Sequence, residues 1–500
     1  MKNFLPFLLV SQIAFCKAQP NIIYIKTDDQ RFDALSMTGH PVTKTPHIDQ
    51  LAKDGVFFDQ AFITSPVCGP SRANTFSSQW ERKNRIGFSE FLGNNMKPEV
   101  FDQSWLMCLK RAGYFTGYIG KHHVTVGEKQ KKGYLQRSID FAYVKKGHIG
   151  FHLNKIPAYN NLKNQTQVEG LLEATEAFLE PGPEKDDFFD TAHASVKDFL
   201  QRRDSSKPFA VSINFNLPHA ASIGGMGAKK SDPEYYRSLY KDQLDQFPIP
   251  DGFVNKQEPF PKEVFQLNEL MNYYTYNKKS LLSTKLRMAQ ANYAIDLFVG
   301  SLREQLSTMG VAENTIIVFA SDHGLLLGEK GLGGKTFLYE ESVHIPLIVY
   351  SPLFKKEERS QTISEIVVGQ DISATILDLC DVKVPETYQG VSMLPLIEQK
   401  PVAWRQDVFL ENLFTKQGYP RMEAVRSKEW KYIRYFSREN DRAQYLPEAS
   451  LNGEQPIFEE LFYLSGDSEE RHNLASRPEL QDILAEMRER CQELLQECAQ

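Results

Sequence analysis

The chain has 500 residues, with 58 Lys+Arg against 64 Asp+Glu for a formal net charge of −6, 41% hydrophobic residues and 30 glycines. That length suffices for about three domains, or for one large core with a smaller unit appended. A slightly acidic balance with no long basic run argues against a nucleic-acid partner, and the ordinary apolar fraction argues against both disorder and a multi-span membrane protein.

At the start of the chain Lys2 precedes an apolar run from Phe4 to Phe15, interrupted by Pro6, Ser11 and Gln12. The run falls short of the about 20 residues that a spanning helix needs, so no transmembrane span is expected. Cys16-Lys17-Ala18 ends on a small residue before Gln19-Pro20. Residues 1–18 therefore read as a cleaved secretory signal, and the mature chain as exported, periplasmic or secreted. Lipid anchoring at Cys16 is the weaker alternative, because Phe15 stands where a lipoprotein signal prefers a small residue. Five of the six cysteines remain after cleavage, an odd number in a disulfide-permissive compartment, so at least one is expected free, with Cys68 the candidate. Cys491 and Cys498, on one stripe of a closing helix, would lie about 10 Å apart along its axis, beyond disulfide reach.

Four runs rich in β-branched or aromatic residues, Asn21–Thr27, Phe115–Ile119, Phe209–Phe215 and Thr315–Ala320, read as strands. They alternate with helix-length amphipathic stretches such as Thr284–Met309, whose apolar residues read as core. The pattern predicts an α/β fold with a largely parallel sheet. Each strand is followed almost at once by polar groups: Asp28-Asp29, Lys121-His122-His123, His219 and Asp322-His323. Ligands of open α/β sheets bind beyond the carboxyl ends of the strands, so these groups are expected to converge. The span Gly224–Lys279, with Pro248, Pro250, Pro259 and Pro261, reads as a loop-rich insertion of the kind that selects a substrate. After Pro401 come strands Val408–Glu411, Arg421–Ser427 and Trp430–Phe436 and a helix from Pro478 to about Cys498. The expected division is a catalytic domain over 19–400 and a smaller α+β subdomain over 401–500 packed on it.

Asp28, Asp29, Asp322 and His323 would gather three carboxylates and an imidazole, which implies a cation. Such a donor set favours Ca²⁺ or Mg²⁺, and the imidazole would also suit a transition metal. Taken alone, an Asp-Asp pair is more often a solvated turn or a helix cap. In Cys68-Gly69-Pro70-Ser71-Arg72 a thiol, a hydroxyl and a guanidinium share a proline-stiffened turn entering a helix. A helix N-terminus beside Arg72 would bind an anion, although a lone buried cysteine is commonly just a small hydrophobe. Gly69 to Ala73 also approximates the nucleophile elbow of serine esterases, with Ser71 as nucleophile; Pro70 directly before the serine disfavours it. Arg72, Lys121 and Lys335 could clamp an oxyanion, while His123 and His219 could exchange protons. Singly, each is more often a surface charge or a structural histidine.

These motifs resemble the type I sulfatase family of the alkaline phosphatase superfamily, from about Asn21 to Ala475. Cys68-Gly69-Pro70-Ser71-Arg72 resembles the Cys-x-Pro-Ser-Arg signature by which the cysteine is oxidised to formylglycine (3-oxoalanine). Asp28-Asp29, Gly120-Lys121-His122-His123, Pro218-His219, Ser321-Asp322-His323-Gly324, Gly334-Lys335 with Tyr339-Glu340, and Glu460-Leu461-Phe462-Tyr463 through Asn473-Leu474-Ala475 follow in the family's order. The chain departs from the pattern at Ser77-Ser78-Gln79, where a Thr-Gly-Arg-like tail is usual, and at His323, where many members carry asparagine.

The resemblance implies a large mixed, mostly parallel sheet sandwiched by helices, alkaline-phosphatase-like, with a smaller C-terminal α+β subdomain. It also implies that Cys68, as the hydrated aldehyde, attacks the sulfur of a sulfate ester. Arg72 would support that hydrate, Lys121 and Lys335 would hold sulfate oxygens, His219 would protonate the leaving alcohol and His123 would take the remaining hydroxyl proton. Asp28, Asp29, Asp322 and His323 would hold one metal ion, usually Ca²⁺. The implied partners are a sulfated sugar or polysaccharide fragment and a formylglycine-generating maturation enzyme. Two alternatives stand beside this reading: a phosphoester or phosphonate hydrolase of the same superfamily, and a non-catalytic protein that binds sulfated glycans through an unconverted Cys68.

Overall fold

The computed structural model describes residues 19–87, 95–127, 133–145, 196–219, 238–250, 253, 260–261, 264, 277–413, 419–437 and 445–500. The secretory signal expected over 1–18 and most of the expected 224–279 insertion lie outside the described residues.

Eight strands form the main sheet: β1 (Asn21–Asp28), β2 (Val56–Phe58), β3 (Phe115–Lys121), β4 (Phe141–Lys145), β5 (Phe209–Pro218), β6 (Thr315–Ser321), β7 (Leu347–Tyr350) and β8 (Gln361–Ile363). Their order is β8-β2-β7-β6-β1-β5-β3-β4. Only β7 runs against its neighbours, which makes the sheet mixed but mostly parallel. The four strands expected to carry polar groups, β6-β1-β5-β3, lie side by side and parallel, so their carboxyl ends coincide. All four run further than their apolar cores suggested. Asp28 and Lys121 are themselves the last residues of β1 and β3, because pairing to Pro218 and to Lys145 continues the ladder through them.

Both faces of the sheet are covered. Along β1, Ile22 and Tyr24 enter one apolar cluster while Ile23 and Ile25 enter the other, the two-residue alternation of a strand buried on both sides. On the Ile23 side lie α1 (Pro46–Asp54) and the long helix α4 (Lys278–Thr308); on the Ile22 side lie α2 (Cys68–Ser77), α3 (Trp105–Arg111) and α5 (Gly369–Leu379). Helix α4 begins six residues before the expected Thr284. It opens on the polar run Lys278-Lys279-Ser280, which gives no apolar period, but Asn277 and Ser280 form a reciprocal capping box that sets the start.

Beyond residue 400, four antiparallel strands, β9 (Asp407–Asn412), β10 (Met422–Ser427), β11 (Trp430–Tyr435) and β12 (Phe458–Tyr463), form a second sheet in that order. Helix α6 (Gln481–Ala499) buries Leu484, Met487, Cys491, Leu494, Leu495 and Cys498, so both of its cysteines lie on the packed stripe. All five described cysteines are free thiols. Arg82 joins this sheet to the chain after α2. It is fully buried, with its Nε 2.6 Å from Glu411 Oε2 and further contacts to Glu423 and the Pro447 carbonyl. No helix among the described residues is long and apolar enough to cross a membrane.

Asp296, fully buried on α4, accepts the Ile48 N–H of α1 at 2.8 Å through Oδ1, while its Oδ2 has no partner among the described residues. Burial pushes this carboxyl up to about 8, against the lowering effect of the backbone donors Ile48 and His47. A carboxyl raised on folding favours the fold below its unfolded value and loses that contribution as pH rises through its folded value. Asp296→Asn keeps the acceptor and removes the titration. The wild type should therefore lose stability relative to this variant between about pH 4 and 8; parallel urea-unfolding curves at every pH would contradict this.

Candidate active site

In an extended strand successive side chains point to opposite faces, so Asp28 and Asp29 could not share a site if β1 simply continued. Asp29 instead adopts a left-handed conformation, φ 63°, which Asp tolerates better than most residues. Its N–H donates to Asp322 Oδ1 at 3.2 Å, which ties the end of β1 to the end of β6. Gln30 locks the turn: its N–H donates to Ser321 Oγ at 3.1 Å, its Oε1 accepts from Thr27 Oγ1 at 2.8 Å, and its Nε2 donates to Asn292 Oδ1 on α4 at 2.9 Å. Sequence reasoning missed Gln30. Its place directly after the Asp pair was the one signal, and its partner Asn292 lies 262 residues away.

Cys68 is the first residue of α2, with Pro70 in the first turn, where a missing N–H breaks no helical bond. The expected turn is thus the helix start itself. At its other end Ser78 takes the left-handed cap position, φ 56°, and its hydroxyl donates to the Gln370 carbonyl at 2.9 Å. The departure from the usual Thr-Gly-Arg therefore leaves the helix capped. The Ser71 hydroxyl donates to the Asp322 carbonyl, which makes it a tie between α2 and β6 rather than an esterase nucleophile.

All ten candidate residues come together, and all but Lys335 are buried to 5% exposure or less. Cys68 Sγ lies 2.9 Å from Lys335 Nζ, 3.2 Å from His323 Nε2 and 3.6 Å from Asp28 Oδ1. His123 and His219 also stand beside the thiol. Arg72 donates through Nε to Asp322 Oδ2 at 2.8 Å, through Nη1 to the Lys121 carbonyl at 2.9 Å and through Nη2 to the Phe215 carbonyl at 3.2 Å. It thereby spans β6, β3 and β5 from its place on α2. The Lys121 ammonium pairs with Asp28, Lys335 with Asp29 Oδ1 at 2.9 Å, and His219 Nε2 lies 3.5 Å from Asp29 Oδ2.

Electrostatics separate the carboxylates. Burial and the Cys68 sulfur would raise Asp28, but Lys121, His219 and Arg72 hold it well below the usual range. Burial pushes Asp29 up to about 7 despite Lys335 and His323, and burial together with Asp28 also raises Asp322. Burial would lower His323, yet Asp322 beside it brings it up to about 9. For Cys68 burial is outweighed by Lys121, Lys335 and His323, which hold the thiol well below its ordinary value. His219 is lowered, by burial and then by Lys335, so it is neutral.

Two carboxyls held above their normal range mark a site whose fixed cations do not satisfy its acids. Ligand atoms of Asp28, Cys68, Asp322 and His323 lie within 4.8 Å of one another, as do those of Asp28, Asp29, Cys68 and His219. Carboxylate oxygens with one imidazole fit a divalent cation, and its charge would meet that demand.

A family model described as Sulfatase matches residues 20–382. The chain belongs to the sulfatase family. A second model, N-sulphoglucosamine sulphohydrolase, C-terminal, matches residues 328–449 of this sulfatase. An arylsulfatase of Clostridium perfringens is 26% identical over 455 residues, covering 85% of this chain and 88% of its own. An N-acetylglucosamine-6-O-sulfatase of Bacteroides thetaiotaomicron is 26% identical over 503 residues, covering 90% and 85%. A structure solved in complex with D-glucosamine-2-N,6-O-disulfate superposes with a TM-score of 0.71 at 21% identity, covering 96% of this chain and 98% of that one. The sulfatase is accordingly a sulfuric ester hydrolase with the expected alkaline-phosphatase-like fold.

Arg72→Ala would leave Asp322 with His323 alone and Asp28 with Lys121 alone, and would cut the guanidinium's ties to the Lys121 and Phe215 carbonyls. The expected loss is about 3–5 kcal/mol of unfolding free energy, read from urea denaturation; an unchanged midpoint would show that the guanidinium does not hold the strand ends together.

Proposed function

We propose that this protein is an exported sulfatase that removes sulfate ester groups from a sulfated carbohydrate or polysaccharide fragment, with formylglycine at position 68 and one Ca²⁺ ion. The observation that carries the reading is the setting of Cys68: a helix N-terminus, two lysines and three histidines around one sulfur, against a wall of carboxylates. Export is supported by the amino-terminal run Phe4–Phe15 and its small-residue end. The relative that acts on N-acetylglucosamine-6-O-sulfate, by its name, and the neighbour solved with a disulfated glucosamine support a sulfated sugar as substrate.

The Cys68 sulfur stands where a hydroxyl oxygen of the matured residue would stand. Once hydrated, the aldehyde would supply an oxygen nucleophile directed at sulfur. Asp28, Asp29, Asp322 and His323 would hold the cation, which supplies positive charge to a sulfuryl oxygen. Lys121 and Lys335, fixed by Asp28 and Asp29, would bind the remaining sulfuryl oxygens. Arg72 would keep residue 68 in register with the strand ends through its three-strand span. His219 would give a proton to the leaving alkoxide. It is neutral in the substrate-free site, so the approaching sulfate charge must first raise its affinity for a proton. His123 would accept the hydroxyl proton at position 68 in the second half of the reaction.

Matched aryl sulfate and aryl phosphate esters test the reaction class: sulfate should turn over much faster, and faster phosphate turnover would favour the phosphoester reading. Cys68→Ala should abolish turnover, whereas retained activity would remove the nucleophile from the account. His219→Ala should slow esters of poorly acidic alcohols by about 10²–10⁴ and esters of acidic phenols far less; equal losses would deny the histidine its acid role. Chelation should lower both activity and the unfolding temperature, and Ca²⁺ should restore both; an unaffected protein would contradict the metal centre.

A further inference from the structure

A small internal cavity shares Arg72 with the site, but none of the other nine candidate residues. Its lining includes Tyr24, Lys26, Tyr118, His122 and Asn214. Lys26 sits two residues before Asp28 on the central strand, opposite Asn214 and Ala320 in the neighbouring strands. By the alternation of β1 it faces the α2 side with Ile22 and Tyr24. A lysine in the middle of a sheet buried on both sides, only 3% exposed, keeps its charge only beside a counter-charge or its equivalent and otherwise gives up its proton.

No carboxylate lines the cavity, and none pairs with Lys26 among the described residues. The nearest aromatic face is that of Tyr24, with Lys26 Nζ 5.1 Å from the ring centroid. The acids close by point to other partners: Asp28 pairs with Arg72 and Lys121, and Asp322 with Arg72 and His323. A second, independent feature points into the same space. The Tyr24 hydroxyl is buried and has no hydrogen-bond partner among the described residues. Tyr118 and Asn214 offer less, since the Tyr118 hydroxyl donates to the Lys121 carbonyl at 3.2 Å and Asn214 Nδ2 donates to Ser212 Oγ at 2.8 Å. The free volume for an occupant's centre is about 10 Å³, one water-sized body. Sulfate, phosphate and carboxylates are too large for it.

We propose that this cavity binds one chloride ion, held by the Lys26 ammonium and the Tyr24 hydroxyl beside the Arg72 guanidinium. The ion would neutralise the one lysine that the strand-end carboxylates leave over, and would fill the space behind the helix that carries Cys68. The site does not depend on the hydrolase reading, and neither readout below uses turnover.

Crystals of the full chain grown in bromide in place of chloride should show one anomalous peak in the cavity, within about 3.5 Å of Lys26 Nζ. Absence of the peak, or only a water there, would overturn the proposal. In solution, replacing gluconate by chloride at constant ionic strength should raise the unfolding temperature of the wild type in a saturable way. Lys26→Met should abolish that response, and an undiminished response in the variant would also overturn the site. Should Lys26→Met fail to fold, the bromide map alone decides.

Discussion

The buried Asp28 carboxylate is the interaction on which the rest of the structure depends. It ends the central strand, is fully buried, and is shared by Lys121 from β3 and Arg72 from α2. Removing such a charge from water costs several kcal/mol, and only close, well-directed cations repay it. Each repayment crosses between elements. Lys121 closes β3 onto β1 across β5, and Arg72 draws α2 down onto β6, β3 and β5. The same balance leaves Asp29 and Asp322 under-compensated, pushed up by burial, which is where a divalent cation is called for. Stability and chemistry are two uses of one charge arrangement.

The C-terminal sheet completes the site indirectly. Lys335 arrives outside the main sheet, directly after the short strand Gly333–Gly334 that pairs with Leu326–Leu327 in the segment following β6, and that segment is fastened at both ends. Before it, Arg31 donates to Glu329 Oε1 at 2.7 Å and to the Leu325 carbonyl at 3.1 Å, which clips it to the turn after β1. Lys330 donates to the Glu469 carbonyl at 2.8 Å and lies over the Tyr339 and Phe462 rings. After it, the Tyr339 and Tyr435 hydroxyls both donate to Glu460, at 2.8 and 2.6 Å, and Glu340 pairs with Arg426 and Lys431 of β10 and β11. The smaller sheet thereby fixes the position of an ammonium group that its own residues never touch.

Much of this was legible in the sequence. Strand-sized apolar runs ending in acids, lysine and histidines gave the parallel block and the convergence of seven of the ten candidate residues, because alternation and strand-end placement are local consequences of sequence; Cys68, Arg72 and Lys335, which lie off those strands, were joined to them by their motifs and the family resemblance. What could not be read are features that depend on distant partners or single torsions. The left-handed turn at Asp29 is one such feature, and the tie from Gln30 to Asn292 another. The capping box that starts α4 was overlooked because the polar first turn breaks the apolar period. Lys26 inside an apolar strand gave no sign of its surroundings, since the cavity it faces is assembled from five separate stretches of chain. The expected insertion over 224–279, mostly outside the described residues, is where the choice of substrate was placed.

The central claim is that residue 68 is a nucleophile made from cysteine, set in a pocket built to bind a sulfuryl group. Peptide mass spectrometry across residue 68, on protein made in a host with a formylglycine-generating enzyme, tests it most directly. The account predicts a loss of about 18 Da at this residue, the change from thiol to aldehyde. An unmodified thiol in protein that nonetheless hydrolyses sulfate esters would contradict it.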